Sequence, residues 1–218
     1  MAVAAGVAVA EPWELTLDDI ADQRAYERER EEFRRRVIAV KKKRRVPVGP
    51  VVTITFESRL TMRFQVQEMA RAEQMVTDDQ ILHELAVYNR LVPAPGELSA
   101  TLFIELTSDE LLREWLPRLL GIETALGFEL TGPDGATSVV PSVPEADHAS
   151  ALTRDTVTSA VHYLRFSFTK AEIEAFATGP VALVARHPEY EARTEITDEN
   201  RAELLGDLEG RTESIDPE

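Results

Sequence analysis

Arg63 and Arg71 stand eight residues apart in a segment with helical periodicity, with Gln67 midway between them. On a helix that spacing lines both guanidinium groups along one stripe roughly 12 Å long. Such a pair suits a carboxylate or phosphate, which arginine grips through paired, charge-assisted hydrogen bonds. Glu68 precedes Arg71 by three residues and can neutralise it only loosely, because an exposed pair of this kind contributes at most about 1 kcal/mol. Glu57 closes one strand-like run and Glu97 opens another, so both can complete the network from outside the helix. A carboxylate held there could move a proton or meet a cation. Tyr88 and Asn89 end the next helical segment. The candidate binding residues are therefore Glu57, Arg63, Gln67, Glu68, Arg71, Tyr88, Asn89 and Glu97, with no catalytic residue assigned. The plainer reading of such a stripe is a solvated helix face. Replacing Arg63 and Arg71 together by Gln separates the two: a functional cluster loses binding and keeps its fold, whereas a structural one unfolds.

Other chemistries find little support. The chain has no cysteine, which excludes disulfides, thiolate metal sites and an iron–sulfur cluster of its own. There is no Gly-rich phosphate loop, no G-x-S-x-G and no H-E-x-x-H. His83 and Glu84 are adjacent, so they point about 100° apart on a helix. His83, His148, His162 and His187 follow no ligand spacing, and Glu68 and Glu73 are five apart with no Glu-x-x-His. No metal and no cofactor is expected. His162 shares a strand face with Leu164 and Phe166 and reads as a hydrogen-bonded core histidine. The run Lys41–Arg45 complements the carbonyls of a helix C-terminus; its sharper reading is a patch for phosphate or an acidic partner.

The elements that must position these groups follow from periodicity. Thr16 opens a long helical segment to about Arg45, with Tyr26, Phe33, Val37 and Val40 on one stripe. After the Val46–Pro50 turn comes a strand, then a helix from about Leu60 to Val76 burying Met62, Val66, Met69 and Val76. A third helix runs to Leu91. Leu98–Leu106 alternates cleanly and reads as a half-buried antiparallel strand. Later strands fall near 124–130, 136–143, 160–168, 181–186 and 191–196, with a turn at Gly132–Gly135, a polar loop over 144–156 and helices opened by the capping boxes Thr107–Glu110 and Thr169–Glu172 and by Thr197. The fold class expected is α+β: a single antiparallel or mixed sheet of about five to seven strands under an N-terminal helical layer. Residues 1–14 read as a loose extension, 15–208 as one domain and 209–218 as an acidic tail.

A net charge of −15 disfavours nucleic acid and anionic membrane as partners. No apolar run approaches the length of a membrane span, and no Lys or Arg precedes Trp13 as a secretory signal requires, so the cytoplasm is the expected location.

Several segments resemble one bacterial family: Phe33-Arg34-Arg35-Arg36, Phe56-Glu57, Gln65-Val66-Gln67-Glu68-Met69, Tyr88-Asn89, Gly96-Glu97-Leu98-Ser99-Ala100-Thr101-Leu102 and His187-Pro188-Glu189-Tyr190. It is the domain-of-unknown-function 3501 family, and the likeness runs over about residues 15–208. The resemblance implies no activity and no catalytic residues. It implies a setting of peroxide or iron handling, because genes of that family neighbour those for rubrerythrin-like and iron–sulfur proteins. Two functions follow. One is an accessory protein that binds a redox or iron partner; the other is a small enzyme that takes an anionic substrate at the Arg/Glu cluster.

Overall fold

The computed structural model describes residues 10–132, 135–145 and 157–211. The first residues of the expected N-terminal extension, the centre of the Gly132–Gly135 turn, most of the 144–156 loop with His148, and the end of the acidic tail lie outside the described residues.

The fold is α+β, but the strands divide between two antiparallel sheets where the sequence suggested one. The first sheet orders β1 (Arg45–Val48), β2 (Val52–Glu57), β3 (Glu97–Ile104), β7 (Val161–Ser167) and β6 (Val143–Pro144) as β1-β2-β3-β7-β6. The second orders β5 (Thr137–Pro141), β4 (Leu126–Thr131), β8 (Val181–His187) and β9 (Tyr190–Glu195) as β5-β4-β8-β9. The split occurs inside a run that alternates like one strand. Pro141 ends β5, Ser142 turns, and β6 joins the other sheet. Ser142 fixes this crossing through its N–H to Leu126 O at 2.9 Å and its Oγ to Glu123 O at 2.8 Å. Two packed sheets bury the apolar face of each strand, which one open sheet of the same strands would leave wet.

β3 is the central strand of its sheet. Register sets Ile54 and His162 beside Leu102, and Phe56 and Leu164 beside Ala100, on the inner face. Phe128 of the second sheet meets Phe56, Phe166 and Phe176 with ring centroids 5.1–5.7 Å apart. The opposite face of the first sheet is different in kind: Thr53, Thr55, Glu57, Ser99 and Thr101 are buried there and polar. At the sandwich edge the β1–β2 turn is closed by Tyr190, whose hydroxyl donates to Val48 O. Gly49, at φ +73°, lets that ring approach; a Cβ there would stand 2.5 Å from Tyr190 Oη.

Three helices form the N-terminal layer: α1 (Gln23–Lys43), α2 (Arg59–Ala72) and α3 (Asp78–Tyr88). Asp22 caps α1 by accepting from the Arg24 and Ala25 N–H groups. Thr16 begins only a short 3-10 turn, Leu17–Asp19. α4 (Asp109–Arg118), α5 (Lys170–Thr178) and α6 (Asp198–Leu208) complete the chain. α6 drives Leu204 and Leu208 into the sandwich core. Among the described residues no helix is long and apolar enough to cross a membrane.

Candidate functional site

The amides of Gln67 and Asn89 act as surrogate backbone. Gln67, 2% exposed, donates to Ala21 O at 2.8 Å and accepts from Ala21 N at 3.0 Å. Asn89 does the same to Leu15, at 2.9 and 2.8 Å. Between these two clamps Arg59 grips both Asp19 carboxylate oxygens at 2.7–2.8 Å and reaches Glu14 O. Arg63 donates to Asp19 O at 2.6 Å, stacks 4.9 Å over Phe33, and lies 3.7 Å from the Glu29 carboxylate. Residues 13–21 are thereby strapped across α2 and α3. Trp13, Leu15, Leu17 and Ile20 pack with Met62, Val66, Leu85, Leu91 and Tyr88 beneath them. Apart from its single 3-10 turn the strap has no regular structure, so its remaining backbone groups need partners, and these side chains supply several of them.

Arg71 is held by Glu27, and Glu68 receives Tyr26 Oη at 2.7 Å and Arg30 through two bonds at 2.8 Å. The Arg30 guanidinium, ahead of the Tyr26 hydroxyl, holds the Glu68 carboxyl down at about 2, against the opposing effect of burial. Desolvation, with the Glu68 bond second, pushes the Tyr26 phenol above its usual range. Glu57 is 5% exposed, and its two oxygens accept from Thr61 Oγ1 and Thr101 Oγ1 at 2.7 Å each. Glu97 takes Arg165 and, at 3.3 Å, Ser167 Oγ. The eight residues thus share one helical layer and its sheet edge, but Glu57 and Glu97 have partners of their own and do not join Arg63 and Arg71. The groups that complete the α2 stripe come from the strap and α1.

The basic run behaves unevenly. Arg44 is fully buried, donating to Phe56 O, Glu57 O, Glu203 and Asp207. Burial raises the Asp207 carboxyl despite Arg44 beside it. Residues 33–56 carry eight basic side chains and no acidic one. On the outer face of α1, Ile38 is 46% exposed. Arg34, Arg35, Lys41 and Lys42 stand at i−4, i−3, i+3 and i+4, the four positions that surround a residue on a helix surface. Among the described residues none of the four makes an ion pair. Sequence reasoning singled out the run but not Ile38, although the spacing was there to read.

The layer also holds a groove of about 260 Å³ between the strap, the start of α1, the end of α2 and the start of α3. Leu17, Ile20, Met75 and Ile81 line it together with Gln67, Arg71, Asp22 and Asp78. Val76, read from the sequence as inward-facing, is 81% exposed there, because α2 stops at Ala72 and Gln74 takes φ +53°. Two histidines are spoken for. His162 Nε2 lies 2.8 Å from Thr158 Oγ1, and burial lowers its pKa against the pull of Glu123. His187 accepts from Glu189 N at Nδ1, so Nε2 donates to Leu120 O. Among the described residues no three His, Asp or Glu side chains are grouped to hold a metal ion.

The fold and its strapped layer define a class: an α+β protein with a two-sheet sandwich and three N-terminal helices. The model of a family described as "Protein of unknown function (DUF3501)" matches residues 14–208, and the chain belongs to that family. A crystal structure of a novel protein of unknown function from Burkholderia pseudomallei K96243, at 1.90 Å resolution, is similar with TM-score 0.79 and 35% identity. The match covers 89% of this chain and 98% of that one. No curated protein matches.

Proposed function

We propose that the chain is an accessory binding protein whose α1 outer face docks an acidic surface of a protein partner. The observation that carries this reading is Ile38, exposed at the centre of four cations that make no ion pair among the described residues. Exposed apolar anchors ringed by charge are the usual anatomy of a docking patch: the anchor supplies affinity and the rim steers encounter. The patch runs eight residues from Arg34 to Lys42, about 12 Å. That suits a compact acidic epitope better than a long polyanion, which the net charge of −15 repels. The family resemblance points to a rubrerythrin-like or iron–sulfur protein as the partner and to peroxide or iron handling as the setting, which the sequence-based expectation would place in the cytoplasm. Arg63, Glu68 and Arg71 of the layer serve this function by holding α1 in place. A small enzyme for an anionic substrate would instead aim a guanidinium into the groove; Arg71, which lines it, is engaged by Glu27.

The test is affinity capture with the wild-type chain and with Ile38→Asp as parallel baits, read by mass spectrometry and metal analysis. An acidic iron protein enriched by the wild type and lost with the variant is expected. Equal recovery on both baits would overturn the reading.

A further inference from the structure

The α1 patch and the groove are complementary to each other. One is an aliphatic side chain ringed by cations; the other is a hollow lined by Leu17, Ile20, Met75 and Ile81, where Asp22 and Asp78 outnumber the one cation, Arg71, which Glu27 already engages. We infer that copies of this chain associate head to tail, with Ile38 of one α1 seated in the groove of the next copy. The groove holds about 260 Å³, enough to admit a protruding aliphatic side chain. Val76 stands on its rim at 81% exposure, held out by the left-handed Gln74. Gln74 is the left-handed residue that stops α2, with Met75 N donating back to Ala70 O at 2.9 Å, and the chain leaves the helix there with Val76 outward. Arg34 and Lys42 of one copy face Asp22 and Asp78 of the next.

No copy can fill its own groove. Asp22 caps α1 at one end and Ile38 lies sixteen residues further on, about 24 Å along a rigid helix. Because the two patches differ, the contact is heterologous, and each copy keeps one free patch of each kind. The high net charge opposes association, so the assembly grows with concentration and is not permanent. The inference shares the α1 face with the proposed function, but the groove belongs to it alone.

Sedimentation velocity over a concentration series tests it, with Ile38→Asp and Val76→Lys as single variants. Both positions are exposed enough for the fold to survive, which thermal melting checks. The wild-type mass is expected to rise past that of a dimer, and each variant alone to stay monomeric. Mixed, the two variants should form a one-to-one dimer that grows no further, since each retains the patch the other lacks. A wild type that stays monomeric, or stops at a two-fold dimer, overturns the inference. So does a mixture that gives no dimer, or a variant that associates like the wild type. The two readings fail separately. Val76→Lys associating normally removes head-to-tail contact and leaves acidic-partner docking intact. Ile38→Asp that stays monomeric yet still captures the acidic partner removes the docking reading alone.

Discussion

Two sets of basic side chains on neighbouring helices meet opposite fates. On α2, Arg59, Arg63 and Arg71 each reach a carboxylate or carbonyl of the strap or of α1. On the outer face of α1, Arg34, Arg35, Lys41 and Lys42 form no ion pair among the described residues, in a chain with 39 acidic residues against 24 basic. Overall charge therefore does not decide which cations are neutralised; what faces them does. The α2 stripe looks toward the acid-rich segment that folds back over it. On the outer face of α1, Arg34, Arg35, Ile38 and Lys42 are exposed, within a stretch that carries no acid of its own. Arg44 marks the boundary: it belongs to the same run, yet it is turned inward and fully buried.

The sharpest way to break this contrast is Arg44. Removing it strands Asp207 and Glu203 without their cation, and breaking a buried pair in this way costs about 3–5 kcal/mol. Arg44→Ala should show that loss in urea unfolding; a loss under about 1 kcal/mol would place Arg44 with the surface cations. Next come the amide clamps. Gln67→Ala leaves the Ala21 N–H and C=O without their partners, and an unsatisfied buried group costs about 1–3 kcal/mol. Faster amide exchange confined to residues 13–21 would locate the damage in the strap.

Glu68 gives a pH test. Its carboxyl sits at about 2 in the folded chain against an ordinary 4.5, chiefly through Arg30. As pH falls, the unfolded chain takes up this proton first, so the contribution is complete above 4.5 and is lost between 4.5 and about 2. The side chain is 27% exposed, and solvent screens part of the effect. Glu68→Gln should flatten the acid limb of the stability profile; an unchanged limb would remove Glu68 from the clamp. The smallest effect belongs to Lys42→Gln, expected within about 0.5 kcal/mol of wild type. A larger loss of stability would mean that the α1 face has an internal partner.

Much of the fold was legible because alternation and caps are local. The even-numbered residues from Leu98 to Ile104 face the core of a central strand, and His162 packs inside with Leu164 and Phe166. The second sheet was not legible, since residues 136–143 alternate as one strand and only the bonds of Ser142 to Leu126 and Glu123 redirect them. Val76 was misplaced because helical periodicity was carried past Ala72, where Gln74 ends it. The polar stripe of α2 was legible as residue types. Its partners were not: Asp19, Ala21 and Glu27 lie more than forty residues earlier, and no periodicity records that a segment will fold back.

Titration with a purified rubrerythrin-like protein, run beside thermal melts, tests the division between the two sets of cations most directly. Arg63→Gln with Arg71→Gln should lower the melting temperature and keep binding, because those arginines hold the layer together. Ile38→Asp with Lys42→Gln should keep the melting temperature and lose binding. The reverse pattern, binding lost with the α2 pair and unaffected by the α1 pair, would contradict the account.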